Sequence, residues 1–132
     1  SGDGTVNCLL DTCAFLWLAL EPECLSAKAV KTINKADQRF LSSASIWEIV
    51  IKNASGKLPL PVNPREWIPS RMDFFQLAML PLDQEVLFLS GELPMIHRDP
   101  FDRLIAADSI QRDLPIITSD LPFEALGATR IW

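Results

Sequence analysis

The stretch VNCLLDTCAFLWLAL, residues 6–20, places a single aspartate between two apolar segments. Val6–Leu10 is short and mostly apolar, as expected of a strand that is covered on both faces of a sheet. The apolar run Cys13–Leu20 predicts a helix that stops before Pro22. Because a strand leads directly into a helix here, this stretch predicts the first part of a β-α-β unit and hence a parallel sheet.

The rest of the chain continues this alternation. Further strands are predicted at residues 39–42, 76–80, 115–118 and 129–132, and helices at residues 26–37, 43–56, 65–75, 83–90, 99–112 and 120–126. Three prolines in Leu58–Pro64 exclude a helix or a central strand, so this segment is predicted to be a crossing loop. The pattern indicates an α/β fold with a central, mainly parallel sheet of four or five short strands flanked by helices.

Length and boundaries predict one domain. The chain has 132 residues, and most domains contain about 100–150 residues. Residues 1–4, Ser-Gly-Asp-Gly, lack an initiator methionine and resemble a cloning remnant, which leaves residues 5–132 for the domain.

Net charge argues against general affinity for nucleic acid. Twelve basic and 17 acidic residues give a formal charge of −5. Such a chain has no sequence-independent attraction for phosphate backbones, so any nucleic-acid chemistry must depend on metals or on a local basic patch.

Cysteine usage favours a reducing, cytoplasmic location. Cys8, Cys13 and Cys24 form an odd set without CxxC spacing, and they are expected to be buried small hydrophobic residues. His97 is the only histidine, which excludes a zinc finger. The longest apolar run, Cys13–Leu20, is shorter than the roughly 18 residues of a membrane span, and no basic region precedes it as in a signal peptide.

Two aspartates follow predicted strands. Asp11 closes the first strand, and Asp120 follows the strand at residues 115–118. Ligands in parallel sheets bind beyond the carboxyl ends of the strands, so both residues are candidate site residues. Each has an alternative role as a helix cap, in which Ser119 could replace Asp120.

Glu48 lies among Ile46, Trp47, Ile49, Val50 and Ile51. This composition predicts a helix that is buried almost all round, where an ionised carboxylate is costly unless it is paired or binds a metal. The alternative is an ion pair with Lys52 one turn later. We favour a functional role, because such pairs contribute only a few tenths of a kcal/mol.

Asp99-Pro100-Phe101-Asp102 has the form of a capping box. Asp99 is therefore expected to cap a helix. Asp102 shares a face with the small residues Ala106 and Ser109, which would let the helix approach the sheet and carry Asp102 to the strand ends. Asp108 and Asp113 are expected on the solvated side.

Four converging carboxylates would repel one another without a cation between them. An oxygen-only ligand set suits Mg²⁺, and Mn²⁺ is expected to substitute for it. Such a site would allow an acidic protein to act on RNA.

Four segments also resemble the PIN-domain family, and more narrowly the VapC-type toxins of bacterial toxin–antitoxin pairs. The segments are Leu9–Trp17, Ser45–Lys52 with Gly56–Leu60, His97–Ala107 and Ile117–Asp120. They occur in the family's order, and the resemblance covers nearly the whole chain.

The resemblance implies a parallel sheet and a metal-dependent ribonuclease. Its acids fall on Asp11, Glu48, Asp102 and Asp120, and its supporting polar positions fall on Thr118 and Ser43, with Asp99 beside them. Cys13 departs from the pattern, because a histidine is frequent at that position. The resemblance also implies a homodimer and a VapB-like antitoxin that covers the site. No membrane association is expected, because the longest apolar run is too short for a span.

Several alternatives remain open at this point. The fold could serve only to bind a partner, without catalysis, or it could be a phosphoaspartyl phosphatase or receiver. Asp11-Thr12-Cys13 lacks the Asp-x-Asp that a dehalogenase-like phosphatase requires. Arg98 or Arg103 could contact RNA phosphate, although a solvated helix surface is the favoured explanation for them. Trp17 and Leu18 are expected to contribute to a partner surface.

Overall fold

Five short parallel strands form one sheet in this computed structural model, which describes residues 6–132. The segment interpreted as a cloning remnant lies outside the described residues. The strands are β1 Cys8–Leu10, β2 Arg39–Ser42, β3 Leu77–Leu80, β4 Ile116–Ile117 and β5 Arg130–Ile131. Their spatial order is β3-β2-β1-β4-β5, and every neighbouring pair is parallel. The predicted single α/β domain with a parallel sheet is confirmed.

The helices lie close to their predicted positions. They are α1 Thr12–Leu20, α2 Ala27–Lys35, α3 Ser43–Ala54, α4 Pro64–Phe74, α5 Gln84–Glu92, α6 Pro100–Gln111 and α7 Pro122–Ala125. Side-chain oxygens cap several of them; Ser26 caps α2 and Asn63 caps α4. None of the helices in the described residues combines the length and apolarity that a membrane crossing needs.

The chain order reverses at the centre of the sheet. From β1 the chain builds outward through β2 to β3, and later returns to place β4 on the other side of β1. Leu10 pairs with Leu41 on one side and with Ile117 on the other. A site is therefore expected beyond the carboxyl ends of β1 and β4, at this switch point.

Two apolar cores cover the two faces of the sheet. Because side chains alternate along a strand, neighbouring residues of β1 enter different cores: Leu10 packs in one with Phe15 and Ile49, and Leu9 in the other with Ile105. At the central strands β1 and β4 every residue is buried, which explains why these two strands are apolar throughout.

Helix α3 is less buried than predicted. Trp47, Val50 and Ile51 are between 41% and 50% exposed, while Glu48 and Ile49 face inward. The prediction of all-round burial was wrong because an apolar sequence does not show which faces another element covers.

Helix α6 shows the opposite error. Asp108, expected in solvent, is fully buried and lies 3.4 Å from Arg112 through its Oδ1. All residues from Arg103 to Ser109 are buried because α6 lies between the sheet and other helices, with extensive contacts to α5. Burial raises the pKa of Asp108.

The expectation for the cysteines was partly wrong. Cys8 is buried as predicted, but Cys13 and Cys24 are exposed. Trp17 and Leu18 pack partly against the core, and the Trp17 ring lies 5.7 Å from that of Trp132. Both residues remain partly exposed, so their contribution to a partner surface stays a prediction.

Arg103 is buried and fastens the segment that precedes α6. Its guanidinium donates to four backbone carbonyls, those of Ser90, Leu93, Pro94 and His97, at 2.8–3.0 Å. It is 7% exposed, so neither proposed role, RNA contact or solvated helix surface, describes it. Arg103 thus fixes the loop that leads into Asp99 and Asp102.

Replacing Arg103 with methionine should lower the free energy of unfolding by about 2–4 kcal/mol, because buried carbonyls lose their donors. Urea unfolding followed by circular dichroism measures the change. Arg98→Met, at an exposed residue of the same segment, is the matched control and should change stability by less than about 0.5 kcal/mol. Equal losses in both variants would show that Arg103 does not fasten the loop.

Candidate active site

Four different elements supply the acids. Asp11 follows β1, Glu48 lies in α3, Asp102 lies in the first turn of α6, and Asp120 follows β4. The carboxyl ends of the two central strands bring Asp11 and Asp120 together, and α3 and α6 pack against each other beside them. Charge interactions connect Asp11 with Asp102 and Asp120, and Asp102 with Glu48.

Asp11 caps helix α1 and is also a member of the candidate site. Its Oδ1 accepts a 2.7 Å hydrogen bond from the backbone N–H of Ala14, which caps α1. Asp11 is only 4% exposed. Burial raises the pKa of Asp11 to about 7, opposed by hydrogen bonds from Thr118 and Ala14. The cap and site roles that the sequence left open are therefore compatible.

Asp102 is held by a histidine. His97 Nε2 lies 2.8 Å from Asp102 Oδ2, and the His97 ring packs edge-on against Phe123. Burial raises the pKa of Asp102 to about 6, and hydrogen bonding from His97 acts in the opposite direction.

Glu48 is 5% exposed, and its two oxygens differ. Oε2 lies 2.5 Å from Lys52 Nζ, so the ion pair that the sequence offered as an alternative is present. Oε1 is buried and has no hydrogen-bond partner. A buried carboxylate oxygen without a partner is costly, so the ion pair alone does not satisfy Glu48.

Asp120 is exposed, and its backbone N–H donates to Thr118 Oγ1 at 3.0 Å. Neither Ser119 nor Asp120 caps α7, which starts after Leu121 without a side-chain cap. The capping alternative for these residues was wrong.

The supporting residues occupy three different places. Thr118 bonds to Asp11 and Asp120 and so lies within the site. Asp99 caps α6 by accepting from the N–H groups of Phe101 and Asp102, and its charge reaches Asp102. Ser43 instead donates to the Leu80 carbonyl at the end of β3, at 2.7 Å.

Sequence reasoning missed two basic side chains of the site. His97 was considered only as a zinc or triad residue, and Lys52 only as a surface ion-pair partner. The signals were available: His97 lies five residues before Asp102, and Lys52 one helical turn after Glu48. Cys13 also lies near the acids, whose charges add to burial in raising the pKa of its thiol to about 11.

A divalent cation fits these residues by their chemistry. In the arrangement of residues 6–132, no three His, Cys, Asp or Glu side chains are positioned to hold one metal ion together. The donors are nevertheless the carboxylate oxygens that Mg²⁺ prefers. Mutual repulsion and an unpartnered Glu48 oxygen are both features that a cation would relieve.

The fold and the site together define the class of this protein. It is a parallel α/β domain with an acidic candidate site beside its topological switch point. The sequence profile of the PIN domain matches residues 8–128. The chain therefore belongs to the PIN domain family, which confirms the resemblance seen in the sequence.

Solved structures of toxin–antitoxin complexes have a similar fold. A chain of DNA-bound VapBC from Salmonella typhimurium is 19% identical with a TM-score of 0.68, covering 95% of this chain and 96% of that one. A chain of VapBC2 from Rickettsia felis, bound to a promoter DNA fragment, is 17% identical with a TM-score of 0.67, and the match covers 95% of this chain and 97% of that one. A chain of VapBC-5 from Mycobacterium tuberculosis is 19% identical with a TM-score of 0.60, and the match covers 95% of each chain. Comparison with curated protein sequences found no match.

The raised pKa of Asp11 predicts a pH-dependent stability. With its pKa raised from 3.8 to about 7, the folded protein keeps a proton that the unfolded chain loses, so stability declines as pH rises through 7. Asp11→Asn keeps a capping oxygen and removes this term. In EDTA, its stability advantage over the unmodified protein should grow by about 1–2 kcal/mol between pH 5.5 and 8.5.

Urea unfolding at the two pH values measures this difference. Asp113→Asn is the matched control, because Asp113 is exposed and lies outside the site; its effect should not change with pH. An Asp11→Asn advantage that is equal at both pH values would contradict the assignment.

Proposed function

We propose that this protein is a divalent-cation-dependent ribonuclease that hydrolyses RNA phosphodiester bonds and acts as the toxin of a toxin–antitoxin pair. The observation that supports the proposal is that charge interactions link Asp11, Glu48, Asp102 and Asp120 beside the switch point of a PIN-domain sheet. None of the four acids of the family pattern is missing, which favours catalysis over a silent partner-binding role.

Asp11, Glu48, Asp102 and Asp120 are the residues that would hold Mg²⁺, or Mn²⁺ in its place. When bound, such a cation lowers the pKa of an attacking water molecule and neutralises charge on the phosphate oxygens. The rest of the work is done by protein groups. His97 orients Asp102, Thr118 bonds to Asp11, and the Asp99 cap fixes the helix turn that carries Asp102.

We further propose a VapB-like antitoxin as the protein partner, with a homodimer as the active form in the cytoplasm. The structures similar in fold are complexes of this kind. The described surface offers an apolar groove of about 750 Å³ between α3 and α4, lined in part by Val50, Ile68 and Met79. This groove is an apolar surface suited to a partner, in addition to Trp17 and Leu18.

Dependence on a cation is the first test. Cleavage of a labelled single-stranded RNA should require Mg²⁺, should also proceed with Mn²⁺, and should stop in excess EDTA and resume when Mg²⁺ is restored, because every proposed ligand is a carboxylate oxygen. The rate is followed by gel electrophoresis. Cleavage that persists in EDTA would overturn the metal-dependent mechanism.

The second test compares two carboxylates that lie three residues apart. Asp102→Asn removes a charged ligand and should lower the cleavage rate by about 100-fold or more, while metal-free stability is kept or improved. Asp99→Asn, the matched control, keeps a capping oxygen and should retain both stability and most of the activity.

Paired melting and cleavage assays distinguish the outcomes. Loss of cleavage only in Asp99→Asn would reverse the two assignments. Normal cleavage in both variants would show that the four-acid site is not catalytic, and no cleavage in the unmodified protein would favour the silent partner-binding alternative.

A further inference from the structure

The site carries far more negative than positive charge, although its proposed substrate is an anion. Four carboxylates converge there, with Asp99 beside them. An approaching phosphodiester adds another negative charge. A basic side chain that can reach the opening of the site is therefore needed in addition to any bound cation.

The guanidinium groups of Arg103 and Arg39 are committed to the fold. Arg103 is bonded to four backbone carbonyls and is buried. Arg39 donates to the carbonyls of Phe75, Ile33 and Ala36 at the far end of β2. The His97 ring is bonded to Asp102. These groups are not available to an incoming phosphate without loss of structural contacts.

Lys52 is placed differently. Its Nζ lies 2.5 Å from Glu48 Oε2, yet its side chain is 44% exposed, compared with 6% for that of Glu48. The charges of Asp99 and Glu48 both act on it, and bonding to Glu48 raises the pKa of Lys52, so the ammonium is charged. The Lys52 side chain therefore contacts both Glu48 and solvent, and its ammonium is carried on a flexible four-carbon stem.

Glu48 supplies the second observation. Its Oε1 is buried without a hydrogen-bond partner, and the residue as a whole is only 5% exposed. Lys52 thus meets only part of the need of this carboxylate for positive charge. The Glu48 carboxylate is therefore suited to bind a second cation, and once it does, its ion pair with Lys52 stabilises it less.

We propose that Lys52 is a binding residue for the RNA phosphodiester, which rests on Glu48 while the carboxylates hold no divalent cation and turns to the phosphate when they do. This inference deepens the proposed function and rests on it. The ammonium has three donors and loses only one partner when it turns outward, toward a surface that it already reaches.

The proposal makes two predictions of opposite sign for one substitution. Because Lys52 and a divalent cation compete for Glu48, removing the ammonium should strengthen cation binding in the RNA-free protein. Because Lys52 also binds phosphate, the same change should weaken RNA binding. A residue that merely supports the fold or the orientation of Glu48 would weaken both.

The experiment compares Lys52→Gln with the unmodified chain. Isothermal titration calorimetry with Mn²⁺ alone should show roughly threefold to tenfold tighter binding by Lys52→Gln. Steady-state cleavage of a single-stranded RNA oligonucleotide in saturating Mn²⁺ should show KM raised about tenfold with a smaller change in kcat. The dependence of log KM on log salt concentration should lose about 0.7 of its slope, as for one lost contact with single-stranded phosphate.

Two further variants serve as controls. Lys52→Arg keeps the charge and should hold KM within about threefold of the original value. Lys31→Gln changes net charge equally at an exposed residue of α2 and should leave both the Mn²⁺ affinity and KM unchanged.

Each contrary outcome is decisive. Unchanged or weaker Mn²⁺ binding by Lys52→Gln would overturn the competition with Glu48. An unchanged KM and salt slope would overturn the phosphate contact, and equal effects of Lys31→Gln would reduce both to general charge. If the unmodified protein binds Mn²⁺ but cleaves no RNA, the proposed function fails, while the calorimetric comparison still tests Lys52 separately.

Discussion

Repulsion among carboxylates at one end of the sheet is the constraint on which the rest of the site depends. Burial raises the pKa of Asp11 and of Asp102, and the charges of neighbouring acids raise them further: Asp102 and Asp120 act on Asp11, and Asp99 and Glu48 act on Asp102. The surrounding structure holds them together nonetheless. Asp11 accepts a hydrogen bond from the first turn of α1, Asp102 is bonded to His97, and Glu48 is paired with Lys52.

The topology of the sheet explains why these groups meet. Reversal of chain order between β1 and β4 leaves an opening beyond their carboxyl ends, into which Asp11 and the Thr118–Asp120 segment project. Asp102 requires a further device, because it follows an irregular segment. Arg103, its neighbour in α6, gathers the carbonyls of that segment, and Asp99 caps the helix start. The buried guanidinium of Arg103 and the Asp99 cap therefore determine where Asp102 lies.

An acidic protein can act on RNA only if positive charge is concentrated where the substrate enters. A chain with a formal charge of −5 is not expected to have a broad basic surface. In the proposed function, the carboxylates would bind a divalent cation, and Lys52 would share its charge between Glu48 and the substrate. In this arrangement the negative cluster and its ammonium partner are parts of one binding site, whose net charge changes with its occupant.

The sequence by itself determined the fold class, the order of the elements and the acids of the site. Short apolar strands ending in Asp11 and Asp120, and the Asp99–Asp102 capping pattern, express local preferences that hold wherever the segments pack. Tertiary structure alone decided which polar side chains are buried. Asp108 and Arg103 were expected at the surface, and the contact of His97 with Asp102 was not foreseen. The reason is that burial depends on which element covers a face: α5 packs on α6 and encloses Asp108, whereas the outer face of α3, at Trp47 and Val50, stays open.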